Sequence, residues 1–93
     1  MLTALCIHPR DNVAVVLREV RKGEDVLVNL NTGAVHLTAQ NDIPFGHKIA
    51  VTTLPVSKPI IKYGEEIGNA KTLIQPGEWV HLENVYCERG RED

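Results

Sequence analysis

Apolar positions along this chain come in short alternating runs rather than in helical stripes. β-branched and aliphatic residues concentrate in Thr3 to Ile7, Val13 to Leu17, Val26 to Leu30, Val35 to Thr38, Lys48 to Thr53, Pro59 to Lys62 and Trp79 to Leu82. Gly, Pro, Asn or Asp lie between most of these runs, which is the signature of half-buried strands. One run is ambiguous. In "DNVAVVLREV", Asp11 or Asn12 has the chemistry of a helix cap, and Glu19 is followed by basic Arg21 and Lys22. Val13, Val15 and Val16 are poor helix formers, and the run enters a turn at Gly23, so a strand is predicted there too.

Between the runs a short pattern recurs, apolar-x-x-Gly-x-x-apolar. It appears as Val20 to Val26 around Gly23, Ile43 to Ile49 around Gly46, and Ile74 to Val80 around Gly77; a fourth copy, Leu54 to Ile60, has Ser57 at the centre. Glycine takes a positive φ cheaply, Pro44, Pro55 and Pro76 stiffen the approach, and the flanking apolar residues anchor each turn in the core. The copies are unevenly spaced, so they indicate one domain reusing a local solution rather than a solenoid. The expectation is a mostly β fold: one compact domain over residues 1–86, with short strands and tight glycine turns. The charged tail 87–93, "CERGRED", lies beyond it.

Composition narrows the function classes. At 93 residues with 43% apolar content, the chain has the material for one modest core. Ten basic and twelve acidic residues give a net charge of -2 without a long block of either sign, so no footprint for a phosphate backbone is present and nucleic acid is not an expected partner. No apolar run approaches the ~20 residues needed to span a bilayer, and the start "MLTALCIHPR" lacks a basic segment followed by a long apolar one. A cytoplasmic protein without a membrane partner is therefore the expectation. Cys6 and Cys87 lack CxxC spacing and read as reduced, packed thiols, although the sequence leaves a disulfide between them open.

The titratable residues suggest where chemistry sits. His8 lies in "IHPRDN", a loop whose proline and small polar residues leave side chains free to point outward, whereas alternation places His36 on the solvent face of a strand. His81 shares a strand face with Trp79, an arrangement open to packing or to a pocket. His47 and Lys48 follow the turn glycine of "DIPFGHKIA", at positions that in a turn of this kind form a charged rim. Histidine there is suited to proton transfer and lysine to anchoring an anion. Tyr63 and Gly64 open "YGEEIGNA", which by itself signals a turn and is neither a P-loop nor a dinucleotide fingerprint. Nucleophile elbows and His-Glu-x-x-His pairs are absent from the sequence.

Four strings occur in one order: "IHPRDNVAVVL", "NDIPFGHKIAV", "IIKYGEEIGNA" and "PGEWVHLEN". Together, from about Ile7 to Asn84, they resemble the amino-terminal SAF-type (antifreeze-like, β-clip) domain of the altronate and galactarate dehydratase family. The resemblance implies a hydro-lyase acting on a sugar acid with a divalent iron, manganese or magnesium ion, with most of the catalytic machinery and the metal in a large separate subunit. This chain then looks like the small subunit of a split enzyme, as in the related sulfolactate sulfo-lyases, where sulfite leaves instead of water. On that reading His47 is the catalytic residue, and His8, Asn12, Lys48, Tyr63 and Gly64 contact the substrate. His8, His81 and Glu83 are the candidate metal ligands. Family members often carry a second histidine two residues after the first in the last string, where this chain has Glu83. A non-catalytic SAF module that binds carbohydrate is the competing reading, and self-association is left open.

Overall fold

The computed structural model describes residues 2–30 and 32–86, so the expected tail at 87–93 and Cys87 lie outside the described residues. Among them there are nine strands and no helix: β1 (Ala4–Leu5), β2 (Val13–Val16), β3 (Asp25–Leu30), β4 (Gly33–Thr38), β5 (Lys48–Ala50), β6 (Pro59–Lys62), β7 (Glu65–Ala70), β8 (Trp79–Val80) and β9 (Val85–Tyr86). Six form one sheet in the order β4-β3-β1-β2-β5-β8, and three form a second in the order β6-β7-β9. Among the described strands the only parallel pairing is β1 with β3. The fold is mostly β, as expected, and the ambiguous "DNVAVVLREV" contains a strand, β2.

The four repeated segments fold into four copies of one turn. In each, the residue after the central position donates its N–H to the carbonyl three residues back: Glu24 to Arg21, His47 to Pro44, Lys58 to Pro55 and Glu78 to Gln75. The central residue takes φ of 91° at Gly23, 84° at Gly46, 75° at Ser57 and 92° at Gly77, the value a type II turn demands at its third position. The turns then pair. Val20 and Ile43 exchange two backbone hydrogen bonds, and Leu54 and Ile74 do the same.

This pairing divides the core. Val20, Val26, Ile43 and Ile49 flank the first two turns and pack in one cluster, whereas Leu54, Ile60, Ile74 and Val80 flank the other two and pack in a second. All eight are fully buried, each such side chain contributing roughly 1.5–3 kcal/mol from burial. Asn12 joins the halves. Its Nδ2 donates to the Pro59 carbonyl at 2.9 Å and its Oδ1 accepts from the Ile61 N–H at 2.8 Å, so a side chain extends the backbone pairing from the loop before β2 to β6.

Two strands were not legible in the sequence. "YGEEIGNA" does contain the expected turn, but it continues as β7, in which Gly68 interrupts the apolar alternation. The glycine is there because β9 crosses it closely: a Cβ on residue 68 would collide with the Tyr86 carbonyl oxygen. The two-residue β9 was likewise too short to show a period.

Candidate functional site

The loop from His8 to Asn12 is organised by one carboxylate. Asp11 accepts the N–H groups of Ile7 at 3.2 Å and His8 at 3.0 Å through Oδ2, and that of Gly64 at 2.8 Å through Oδ1. It thereby fastens the loop to the tip of the β6–β7 hairpin. At that tip Tyr63 and Gly64 have φ of 57° and 79°, the pair of positive values that a two-residue type I′ hairpin requires. Glycine suits that geometry; tyrosine does not, and a bulky residue held there is strained. The Tyr63 ring is half exposed, with the Lys62 ammonium 5.1 Å from its centroid.

His8 packs its ring on this tip. A Cβ on residue 64 would lie 2.9 Å from His8 Cδ2 and 3.0 Å from Nε2, so only glycine admits the imidazole. His8 Nδ1 accepts the Arg10 N–H at 3.1 Å. A neutral ring with Nδ1 accepting carries its proton on Nε2, so His8 offers a hydrogen-bond donor on its other side. Beneath the loop, Cys6 donates to the Val13 carbonyl at 3.4 Å and lines a cavity of about 180 Å³ with His8 and Asp11. Burial, and secondarily the Asp11 charge, push its thiol pKa up to about 11.

A second group forms where β5 begins. The exposed His47 ring meets Trp79 edge-on, with centroids 5.5 Å apart, and the His81 ring stacks on the same indole at 4.3 Å. Asn84 holds the bend after β8, accepting from the His81 N–H at 2.9 Å and donating to the Trp79 carbonyl at 2.9 Å. The Trp79 Nε1–H is buried without an acceptor. Lys48 departs from the charged rim expected of it: it is only 2% exposed. The reason is tertiary, because β5 lies between β2 and β8 and pairs Lys48 with both Val15 and Val80. Strand alternation also turns Lys48 to the face opposite Ile49 and Trp79, away from the His47 ring.

The expected site residues thus form two groups. His8, Asn12, Tyr63 and Gly64 gather before β2, whereas His47 and His81 gather beside its far end, where the Val16 N–H donates to the His47 carbonyl, with Lys48 buried on the other face of the sheet. Four residue steps from Asn12 to Val16 separate them by roughly 13 Å. Trp79 and Asp11 complete the two groups; sequence reading noticed both but gave neither a site role. The pairing of apolar Trp79 with His81 on one strand face was the available signal.

The family description "Altronate/galactarate dehydratase SAF domain" matches residues 2–88. The chain belongs to this family. It is 38% identical over 85 residues to the altronate dehydratase of Bacillus subtilis, covering 91% of this chain and 16% of that protein. With the galactarate dehydratase (L-threo-forming) of Escherichia coli it shares 35% identity over 74 residues, 80% of this chain and 13% of the relative. With the (2R)-sulfolactate sulfo-lyase subunit alpha of Chromohalobacter salexigens it shares 43% identity over 87 residues, 89% of this chain and 93% of the relative. This SAF domain therefore spans less than a fifth of the dehydratases it matches and nearly all of the alpha subunit.

For the divalent metal implied by the family, the donor set of this SAF domain is incomplete. Among the described residues no three His, Cys, Asp or Glu side chains converge as a metal cage. His8 has its Nδ1 lone pair engaged by the Arg10 N–H and a proton on Nε2, so in this arrangement it has no free lone pair for a metal. Glu83 is exposed in the turn after His81, whose ring stacks face-on against Trp79, a contact that leaves its in-plane nitrogens accessible. Among the described residues no helix is long and apolar enough to cross a membrane.

Proposed function

We propose that this chain is the small subunit of a metal-dependent hydroxy-acid lyase of the altronate/galactarate dehydratase type, working with a separate large catalytic subunit that holds most of the metal site. The family reading is supported by the match of the SAF domain over residues 2–88, and the split arrangement by relatives named subunit alpha that this chain covers almost completely. A second reading, a sulfo-lyase subunit releasing sulfite rather than water, is favoured by near-complete coverage of two relatives named subunit alpha, 93% in Chromohalobacter salexigens and 94% in Paracoccus pantotrophus.

Both reactions ask the same things of the protein. A proton leaves the carbon next to a carboxylate, the C–O or C–S bond at the neighbouring carbon breaks with its electron pair, and the acid's charge must be held throughout. The bound metal supplies charge stabilisation to the leaving group or the acid. His47 is exposed and steadied by the Trp79 indole, which suits a side chain that moves a proton at the edge of a site completed by a partner. His8, with Nε2–H available, and the Tyr63 phenol at the hairpin tip belong to the other group, roughly 13 Å from His47, so one small acid does not touch both groups on this chain.

The test is co-expression with a candidate large subunit, followed by assays of altronate, galactarate and sulfolactate with iron, manganese or magnesium. His47→Ala is expected to lower kcat by about 10²–10⁴-fold with assembly intact. Unchanged turnover in that variant would sink the catalytic role. Sulfite release from sulfolactate without dehydration of either sugar acid would select the second reading.

A further inference from the structure

Each sheet ends in strands with one unpaired side: β4 and β8 in the larger sheet, β6 and β9 in the smaller. A bare edge invites another strand, and proteins blunt it with shortness, charge or proline. Three of these four edges are blunted. β8 and β9 have two residues each, and β6 begins at Pro59 and ends at Lys62. β4 differs: it runs six residues in unbroken register with β3, carries no lysine, arginine, carboxylate or proline, and leaves Val35 exposed. Its one titratable side chain, His36, is turned to Asp25 of the same hairpin at 2.8 Å.

The pairing of β3 shows which backbone groups of β4 point outward. The Leu27 and Asn29 carbonyls accept the Thr3 and Cys6 N–H groups, so these residues face β1. Alternation then directs Val26, Val28 and Leu30 toward β4, where they oppose Leu37, Val35 and Gly33. The N–H and C=O groups of Ala34, His36 and Thr38 are left facing away from the sheet. Thr38 is covered, since a Cβ on residue 77 would collide with its carbonyl oxygen, which also accepts from Gln40 Nε2 at 3.1 Å. Ala34 and His36 remain, and no described residue takes their outward backbone groups.

These two positions are spaced to pair with themselves. With an antiparallel twofold axis at Val35, Ala34 meets His36 of a second copy and His36 meets its Ala34, and four hydrogen bonds satisfy every outward group at both positions. An axis at His36 would instead call on the covered Thr38. The Val35 axis also sets the exposed valine against its counterpart in the narrow pairing, about 4.5 Å between Cα atoms, on the face it shares with Leu37, which packs against the core. A helix or a flat apolar surface leaves the four groups unanswered. A strand of another protein can satisfy them, but only a second copy places valine on valine by symmetry, and the neutral strand sets no like charges against each other.

We propose that β4 is a self-association edge, through which two copies of this chain join antiparallel about Val35 into one continuous sheet. The blunted edges elsewhere keep the pair from growing into a filament. The proposal does not depend on the lyase reading. One strand pair buries less than the roughly 1,200 Å² of a standard stable interface, so the dimer is weak, with an expected Kd of about 0.1 mM.

The test is sedimentation equilibrium of the full 93-residue chain up to about 1 mM, where the average mass is expected to approach twice that of the monomer. Val35→Lys, which sets two ammonium groups side by side, is expected to weaken the dimer at least about tenfold. His36→Pro removes an outward N–H that β3 does not use and is expected to abolish the dimer. Amide shifts of the core confirm that each variant is folded. In a Cys87→Ser background, Val35→Cys is expected to form an intermolecular disulfide under mild oxidation, because the narrow pairing holds the two Cα atoms within disulfide range, and Ala34→Cys is expected to form much less. The proposal is overturned by a chain that stays monomeric to about 1 mM, whether or not a foreign strand takes the edge. A dimer that Val35→Lys leaves unchanged, or equal crosslinking at positions 34 and 35, would overturn it as well.

Discussion

The His8 imidazole lies against Gly64 so closely that residue 64 has no room for a Cβ, while the Gly64 N–H is bound by the carboxylate of Asp11 three residues beyond that histidine. The loop before β2 and the β6–β7 hairpin therefore share one interface. Gly64→Ala is expected to lower stability by about 1–2 kcal/mol from the left-handed backbone alone, and to push the imidazole off the tip. Chemical denaturation measures the first effect. Nitrogen chemical shifts of His8 measure the second, since loss of the Nε2–H tautomer signals release of the Nδ1 contact with Arg10.

Ser57 and Gly23 occupy equivalent places in the repeated turn, yet only Ser57 carries a side chain at positive φ. Ser57→Gly is expected to raise stability by about 1 kcal/mol, a gain in Tm of about 4–8 °C for a domain of this size. A fall in Tm would show that the serine side chain compensates for the backbone strain.

Asn12 connects the loop before β2 to β6 of the other sheet by a pair of hydrogen bonds of opposite direction. Asn12→Ala is expected to cost about 2–4 kcal/mol, because the Ile61 N–H and the Pro59 carbonyl lose their partners. Asn12→Asp keeps the shape but sets an oxygen against the Pro59 carbonyl oxygen, so it is expected to be more destabilising at pH 7 than at pH 3. Unfolding curves at the two pH values separate the lost bonds from the added repulsion.

The Cys6 thiol, with its pKa raised from 9.0 to about 11, resists ionisation in the fold. Its contribution to stability is fully present below pH 9 and is lost as pH rises toward 11, because the unfolded chain releases the proton first. In a Cys87→Ser background, alkylation of Cys6 at pH 8 is expected to be far slower in buffer than in denaturant. Equal rates would show an exposed thiol.

Local chemistry settled much of this protein before any contact was known. The four turns follow from glycine or serine between apolar residues three positions away, a pattern that needs only backbone sterics, and the strands flanking them follow from β-branched alternation. The family strings were legible for the same reason: residues around tight turns are constrained locally. Long-range pairing decided the rest. Which turns pair, and hence which residues share a core, depends on Val20 meeting Ile43 and Leu54 meeting Ile74 across the chain. Lys48 is buried because β2 and β8 flank β5, and Gly68 is required because β9 crosses it. The histidines looked like contributors to one pocket, but period-2 geometry along β2 and β5 carries them to two ends of the sheet, and side-chain identity holds no record of that distance.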